Sequence, residues 1–396
     1  MTNKRREYLA IALIIVLVIL SFGAGFLFND LILERGESLF REDQGDLGIY
    51  WEAWGYINEN FIGDFPDQQQ ISYGAVRGSI DTLEDPYTFF VEPDVREKEK
   101  ERFRGNFGGV GATLLRNEEG FVILTPIPGN PAEAAGILDG DILLAVDERD
   151  IGEELTIEEI VELIRGEEGT KVILTVLHLG EDDPVKITIT RATILLPSVS
   201  YRILAEDPFV GYILLSRFSG ESAGEVGKAI KDLKEQGANK LILDLRSNSG
   251  GLLNAAVEVS DLFLTGGPIV TQVSKDQEEK IFEATQDAIA GDMPLVILIN
   301  EASASSSEIV AGALHDRDRA TLIGQKSFGK GSVQQVYDLS DGSSIHVTAS
   351  RWFTPNGKMI DQNGLEPDLL AEQTQEAIDN GRDLVIEEAI SFLNSG

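Results

Sequence analysis

The chain has 396 residues, with 33 Lys and Arg against 67 Asp and Glu, which gives a formal charge of −34, and it contains no cysteine. This length accommodates two or three domains with their own cores, while the acidic excess argues against nucleic-acid binding, which requires clustered basic side chains. A chain without cysteine has no disulfide, thiolate nucleophile or cysteine-ligated metal. His178, His315 and His346 are its only histidines and show no metal-ligand spacing, so no metal site is predicted.

The amino terminus carries an uncharged apolar run at 9–28, which follows the basic residues Lys4 to Arg6. A helix of about 20 residues covers about 30 Å, the thickness of a bilayer's hydrocarbon core. Because basic residues favour the cytoplasmic side, we expect a cytoplasmic tail at 1–8, a single-pass anchor in the cell membrane at 9–28, and the rest of the chain on the extracytoplasmic side. A cleaved signal peptide is the alternative, although its apolar stretch is usually only about 7–15 residues long.

The segment at 37–103 is predicted to form an N-terminal helical domain. Apolar residues recur with helical spacing from Leu47 to Ile57, Pro66 ends that pattern, and a second helix is predicted from Ser72 to Leu83. The highly charged stretch from Val95 to Arg104 is typical of an exposed helix.

A small domain of short strands is predicted at 104–191. It begins with a glycine cluster from Phe107 to Ala112. Thr156 and Glu159 have the spacing of a capping box and predict one amphipathic helix. The predicted strands are 121–124, 141–146, 172–177 and 185–190.

From residue 192 onward, buried strands alternate with helices, which predicts an α/β layer that contains parallel strands. A hairpin follows, with its turn at 340–343. The predicted strands of the layer are 211–215, 240–245 and 295–299, and the predicted helices are 221–235, 252–264 and 308–315.

The densest functional signal is the stretch from Asn300 to Val310, in which Ser303, Ser305, Ser306 and Ser307 lie between an apolar strand and a helix. A serine on such a turn can present its hydroxyl to a cleft, where the helix N-terminus favours a developing negative charge. Considered alone, such serines more often cap the helix.

Two further motifs could contribute to the same chemistry. Lys330 lies between Gly329 and Gly331, and a lysine buried there would have a lowered pKa, so that its neutral amine could act as a base. The stretch from Asp244 to Gly251 also ends an apolar strand and opens a helix, so its amides could bind an oxyanion. Alone, each motif is equally typical of an ordinary turn or helix start.

Together these three motifs resemble those of the C-terminal (tail-specific) processing peptidases, serine proteases that use a Ser–Lys dyad. Alignment of the family's nucleophile motif on Glu308 makes Ser305 the attacking serine, and the lysine of the family's Gly-Lys-Gly motif is matched by Lys330. Gln334 matches the glutamine that completes the family's site. Similar family motifs occur at 85–88, 354–357 and 364–368.

Two positions depart from the family's pattern. Ser306 stands where the family usually has alanine, which leaves four serines in one turn and makes the assignment of the nucleophile less secure. Ser249 stands where proline is common, which could loosen the loop that supplies oxyanion donors.

The segment at 104–191 resembles the PDZ domain that the family inserts before its catalytic core. Gly109, Val110, Gly111 and Ala112 are similar to its carboxylate-binding loop. Successive backbone N–H groups in such a loop can hold a terminal carboxylate while the peptide adds as a strand beside it.

The resemblance therefore implies a multidomain α+β protein: a membrane anchor, the helical region, the PDZ domain, an α/β Clp-protease/crotonase-like catalytic core at 192–375, and a C-terminal helix at 376–396. The helical region could mediate a homodimer, as it does in some relatives. The implied partners are proteins or peptides with free C-terminal tails, and no cofactor is implied.

The implied mechanism assigns a role to each matched residue. Neutral Lys330, positioned by Gln334, takes the proton of Ser305 as that serine attacks the scissile carbonyl. The amides of Ser306 and of either Gly250 or Gly251 form the oxyanion hole. The alternatives are an inactive PDZ scaffold that presents tails to another protease, and a crotonase-like enzyme acting on acyl groups, which would explain neither the PDZ segment nor the export.

Overall fold

The computed structural model describes residues 47–395, so the predicted anchor at 9–28 and the tail at 1–8 lie outside the described residues. Within 47–395, none of the helices has the length and apolar character needed to cross a membrane. The chain separates into two compact units, of which one ends at Ile71 and the other begins at Ser72.

The described part of the first unit contains helix α1 (Gly48–Asn60) and the start of helix α2 (Gln68–Asp81). Helix α1 buries none of its residues. Helix α2 begins earlier than the predicted Ser72, because the Asp67 carboxylate accepts a hydrogen bond from the Gln70 N–H at 2.7 Å and so caps the first turn.

In the second unit, helix α3 (Pro93–Arg104) has proline in its first turn and ends at Gly105, which adopts a left-handed φ of 80°. The next strand, β2 (Asn106–Gly109), pairs antiparallel with β9 (Ala192–Leu195). The chain therefore enters and leaves the small β domain through two neighbouring strands.

The small β domain is an antiparallel sheet with the strand order β3-β4-β5-β7-β8, with β6 paired to β5. Helix α5 begins at the predicted capping box, where Thr156 and Glu159 bond each other's backbone N–H. Strand β3 lies at the sheet edge. The elements are β3 (Ala112–Arg116), β4 (Val122–Pro126), α4 (Pro131–Ala135), β5 (Asp141–Val146), β6 (Arg149–Asp150), α5 (Ile157–Ile164), β7 (Lys171–Leu177) and β8 (Val185–Thr190).

The catalytic-core region contains a six-stranded sheet with the order β10-β11-β12-β15-β16-β19, in which only the β10–β11 pair is antiparallel. The predicted α/β layer that contains parallel strands is therefore confirmed, and the structure shows that most of its strand pairs are parallel. The strands are β10 (Val199–Ile203), β11 (Val210–Leu215), β12 (Lys240–Asp244), β15 (Leu295–Ile299), β16 (Thr321–Gly324) and β19 (Leu369–Leu370).

Helices cover both faces of this sheet, as its fully buried strands require. Three helices form the larger apolar core on one face: α6 (Ser222–Glu235), α7 (Leu253–Asp261) and α8 (Ser306–Asp316). The other face packs against α10 (Leu384–Ser395). The predicted single C-terminal helix is in fact two, since α9 (Gln375–Asp379) ends before Gly381, whose φ is 68°.

A second sheet, with the order β1-β18-β13-β14 and β17 paired to β18, lies beside the first. It includes the predicted hairpin, whose strands are β17 and β18. The strands are β1 (Phe89–Val91), β13 (Pro268–Ser274), β14 (Glu279–Glu283), β17 (Ser332–Asp338) and β18 (Ser344–Phe353).

Candidate active site

The site is built where two neighbouring parallel strands end. Strands β12 and β15 pair with Asp244 opposite Leu298, so the turns that follow them emerge at the same sheet edge. The two turns are joined directly, since the Ala304 N–H donates to the Asn248 carbonyl oxygen at 3.0 Å. The serine-rich turn and the Asp244–Gly251 motif, distant in sequence, therefore form one structure.

Three of the four serines in the turn use their hydroxyls to hold it in place. Each donates to a backbone carbonyl oxygen of the neighbouring turn, and all three are buried. Of the four, Ser305 is the one that lines the cavity shared with Lys330. The three donor–acceptor pairs are Ser303 with Leu245 (2.8 Å), Ser306 with Gly251 (3.1 Å) and Ser307 with Asn248 (2.7 Å).

Ser305 has a strained backbone, with φ 54° and ψ −114° immediately before helix α8. A non-glycine residue rarely adopts a positive φ, which costs of order 1–3 kcal/mol and persists only when the surroundings enforce it. Gly250 is part of that enclosure, because a Cβ placed on it would lie 2.9 Å from the Ser305 Cβ. The turn thus holds Ser305 in a backbone conformation that the local sequence does not favour.

Glu308 links the serine-rich turn to the loop that carries Lys330. Its buried carboxylate accepts hydrogen bonds from the backbone N–H groups of Ser305 (2.8 Å) and Lys330 (2.9 Å) on one oxygen. The other oxygen accepts from the Ser327 hydroxyl (2.6 Å) and the Gly329 N–H (2.7 Å). Burial raises the pKa of Glu308, although all four hydrogen bonds oppose that rise.

The glycines beside Lys330 are required by close packing. A Cβ on Gly331 would lie 2.1 Å from the Asp361 backbone nitrogen, and Gly329 has a φ of 90° with a would-be Cβ only 3.0 Å from the Gly364 nitrogen. Only glycine therefore fits on either side of the lysine.

The Lys330 amine is half-buried, and burial lowers its pKa. Among residues 47–395 no carboxylate forms an ion pair with it. Its Nζ lies 5.2 Å from the ring centroid of Tyr87. The amine is therefore displaced toward the neutral form that a general base requires.

Ser305, Lys330 and Gln334 line one cavity of about 440 Å³, together with Gly250 and Gly251. The structure thus brings the three predicted catalytic residues together with two of the three predicted oxyanion donors. The remaining cavity residues are Phe89, Val91, Val95, Lys98, Glu99, Arg102, Phe103, Arg217, Phe218, Ser249 and His346.

The three predicted oxyanion donors differ in their surroundings. The Gly250 N–H donates to the Asn248 side-chain oxygen at 2.9 Å and is therefore already occupied. Ser306 does not line the cavity, but its backbone nitrogen lies 3.0 Å from where a Cβ on Gly250 would stand. Gly251 lines the cavity, and a Cβ there would lie 2.0 Å from the Phe218 carbonyl oxygen, so glycine is obligatory.

Comparison with known proteins identifies two families along the chain. Peptidase family S41 matches residues 209–371 and the PDZ domain matches residues 122–177. A carboxyl-terminal-processing protease of Synechocystis sp. is 38% identical, covering 81% of this chain and 76% of that protein. A carboxy-terminal-processing protease of Bartonella bacilliformis is 32% identical, covering 94% of this chain and 86% of that protein. The chain belongs to the carboxyl-terminal processing proteases of peptidase family S41.

The expected family, its serine-protease class and the multidomain α/β architecture with a PDZ domain are thereby confirmed. Among solved structures, that of the photosystem II D1 C-terminal processing protease is 31% identical. It covers 81% of this chain and 86% of that chain, with a TM-score of 0.47.

In this protease, the predicted carboxylate-binding loop from Gly109 to Ala112 packs on the core of the small β domain, ahead of the residues that match the PDZ domain. It is absent from the lining of the Ser305 cavity. The loop packs on the start of helix α4, since the Ala132 N–H donates to the Val110 carbonyl oxygen at 2.7 Å. Gly111 has a φ of 74°, and a Cβ there would lie 2.3 Å from the Asn130 Cβ. The loop leads directly into the edge strand β3.

His346 lines the cavity, although the sequence predicts no functional role for it. Its Nε2 lies 3.1 Å from the Glu99 carboxylate, and its ring stacks on Phe89 at 4.6 Å. These contacts orient the imidazole toward helix α3 and strand β1. No motif in the sequence could reveal this, because the partners come from distant segments.

Asp244 is a structural acceptor, as its place in a buried strand predicts. It accepts a hydrogen bond from the Tyr212 hydroxyl at 2.7 Å and pairs with Arg246, also at close range (2.6 Å). It does not line the cavity. Within the described range 47–395, His, Asp and Glu side chains form no cluster of three or more that could hold a metal ion.

Proposed function

We propose that this protease is a membrane-anchored, extracytoplasmic endopeptidase that recognises the C-terminal tails of proteins through its PDZ domain and cleaves them with a Ser305–Lys330 dyad. The observation that carries the proposal is the shared cavity, in which Ser305 lies with a lysine whose pKa burial lowers.

The chemistry would begin with proton transfer from the Ser305 hydroxyl to the neutral Lys330 amine as the serine oxygen attacks the scissile carbonyl. Gln334 would position the amine. The resulting ammonium would protonate the leaving amine, and water, deprotonated by the same lysine, would hydrolyse the acyl-enzyme and free the serine.

The oxyanion would be held by the backbone N–H groups of Ser306 and Gly251. Gly251 is favoured over Gly250, because the Gly250 N–H is bound to the Asn248 side chain. Losing one such donor typically lowers the rate about 10²–10³-fold.

Tail recognition would use the PDZ region in two ways. Amides of the loop from Gly109 to Ala112 would hold the terminal carboxylate, and the tail would extend strand β3, which is an edge strand with an unpaired side. The chain would be held at the membrane through residues 9–28 and would self-associate through its helical region.

The dyad is tested by incubating the purified full chain with an unstructured, apolar-tailed protein. Ser305→Ala and Lys330→Ala should each abolish cleavage, whereas Lys326→Ala, which removes an exposed lysine paired with Glu366, should cleave normally. Equal cleavage by the wild type and both dyad variants would refute the proposal. Tail binding by a wild type that cleaves nothing would instead favour the inactive PDZ scaffold.

The anchor and its orientation are tested in membrane vesicles of known sidedness. We expect the full chain to resist alkaline extraction and a chain lacking residues 1–30 to be released. The catalytic part should be digested by added protease only when the extracytoplasmic face is outward. Release of the full chain by alkali would contradict the anchor.

A further inference from the structure

The cavity around Ser305 is rich in positive charge although the whole protein is strongly acidic. Besides Lys330, its lining includes three basic side chains, Lys98, Arg102 and Arg217, and a single carboxylate, Glu99. The chain as a whole carries a formal charge of −34. The excess of basic side chains in the lining is therefore opposite in sign to the net charge of the whole chain.

The charges on one side of this cavity are already neutralised within the protein. Lys98 pairs with Glu162 at 3.2 Å. Glu99 pairs with Arg96 at 2.8 Å and with His346 at 3.1 Å. Lys98 and Glu99 therefore each have a partner of opposite charge within the protein.

Arg102 and Arg217 differ, since within 47–395 neither side chain forms an ion pair. One terminal nitrogen of Arg217 donates to the Leu196 carbonyl oxygen, while its Nε is buried without a partner. Burial lowers the pKa of Arg217, and the charge of Arg102 lowers it further, although Glu225 opposes both. Arg102 and Arg217 line the same cavity. A buried N–H group without an acceptor is unfavourable, and the Arg217 Nε is such a group.

Arg217 also lies beside the reacting groups. It precedes Phe218, whose N–H donates to the Gly250 carbonyl oxygen of the predicted oxyanion loop at 3.1 Å. The Phe218 carbonyl oxygen accepts a hydrogen bond from the Leu252 N–H, just after that loop, at 3.0 Å. A ligand held by the Arg217 guanidinium would therefore lie next to the scissile bond of a bound chain.

We propose that Arg102 and Arg217 form a carboxylate-binding subsite of the active-site cavity, which selects tails carrying a carboxylate close to the scissile bond. The guanidinium fork fits a carboxylate through paired hydrogen bonds. The carboxylate comes either from an Asp or Glu side chain or from the substrate's own C-terminus. The inference rests on the proposed peptidase function and adds a substrate class to it.

The test uses four peptides of one unstructured sequence, with Glu or Gln beside the cleaved bond and with a free or amidated C-terminus. The full chain is compared with Arg102→Gln, Arg217→Gln and Arg217→Lys. Arg104→Gln is the matched control, because Arg104 is exposed on the same helix α3 and does not line the cavity.

The wild type should show kcat/KM about tenfold higher for the preferred carboxylate than for its neutral counterpart, as expected for a charge-assisted hydrogen bond. Both Gln variants should lose this preference, Arg217→Lys should keep part of it, and Arg104→Gln should keep all of it. A Glu preference identifies a side-chain carboxylate. A free-acid preference identifies the C-terminus only if it disappears in the arginine variants, because the PDZ loop would disfavour an amide in every variant.

A wild type without an arginine-dependent preference, or arginine variants that slow all four peptides equally, would overturn the subsite. Fluorescence anisotropy of the same labelled peptides on Ser305→Ala separates this inference from the proposed function. If the wild type cleaves nothing but Ser305→Ala still binds the acid peptide in an Arg102-dependent manner, the peptidase fails and the subsite stands. Arg102 is exposed, so its variant remains informative if Arg217→Gln unfolds.

Discussion

At the scale of single residues, Lys330 is held where its neutral form is favoured and no carboxylate of the described chain pairs with it. Burial lowers its pKa from the usual value of about 10.4. His346, whose imidazole could also accept a proton, lines the same cavity, and its Nε2 faces Glu99. The two candidates predict different responses to substitution.

We expect kcat/KM to rise with pH through the folded-state pKa of Lys330, below about 10.4, because only the free amine accepts the Ser305 proton. His346→Gln should keep this rise of kcat/KM with pH. It should lose only a few-fold in kcat/KM, because the substitution alters the packing of the cavity wall. Loss of the rising limb in His346→Gln would identify the histidine as the base. The measurement is the pH profile of kcat/KM for both proteins.

The same lowered pKa links Lys330 to stability. Between its folded-state pKa and about 10.4, the unfolded chain binds one more proton than the folded chain, so the free energy of unfolding should rise with pH in that window. Lys330→Met should remove this contribution. Urea unfolding at several pH values, compared between the wild type and Lys330→Met, provides the measurement, and identical pH slopes would contradict it.

At the scale of structural elements, Glu308 joins the start of helix α8 to the loop that carries Lys330. Its carboxylate accepts three backbone N–H groups and one hydroxyl. The amide introduced by Glu308→Gln would direct its NH₂ group at N–H donors, so at least one buried donor would lose its acceptor. Because each such loss costs about 1–3 kcal/mol, both the loop and the serine turn should loosen.

Glu308→Gln should therefore lower the free energy of unfolding by about 1–3 kcal/mol and reduce kcat more than it raises KM, since Ser305 and Lys330 lose their fixed separation. Urea unfolding and steady-state kinetics measure the two effects. Glu301→Gln, at an exposed position in the same turn, is the control. A fully active Glu308→Gln would show that the dyad does not depend on this connection.

The sequence was sufficient to predict elements whose signals are local. The capping box at Thr156, the buried strands of the α/β layer and the motifs around Ser305 and Lys330 all depend on residues close together in the chain. The role of Glu308 could not be predicted, because its partners lie in a loop 19 to 22 residues away. The positive φ of Ser305 was equally hidden, since it is imposed by packing from Gly250.

The cavity wall could not be predicted for the same reason, because its residues come from segments that are even farther apart in sequence. His346 and the side chains of helix α3 meet although the hairpin is more than 240 residues away in sequence, as the Arg96–Asp338 bond illustrates. Strands β13 and β14 likewise escaped prediction, since their residues show little alternation between buried and exposed positions.

At the scale of the whole molecule, helix α1 is an exposed apolar element of the described chain. It buries no residue, and several large apolar side chains on and after it are exposed, including Ile49 at 79% and Trp51 at 64%. Isolated exposed residues are common, but an apolar cluster of this kind marks an interaction surface. We propose a second copy of the chain as its partner, since its acidic residues, Glu52 and Glu59, disfavour an anionic membrane surface.

This surface predicts that the full chain is a dimer in mild detergent and that Trp51→Glu dissociates it. An aromatic anchor at an interface typically contributes about 2 kcal/mol or more, so the dimer dissociation constant should rise at least about 30-fold. Glu52→Gln, at a neighbouring position of the same helix, should leave the dimer intact. Sedimentation velocity over a range of protein concentrations measures this, and a wild type that sediments as a monomer at every concentration would contradict the assignment of helix α1 as a dimer contact.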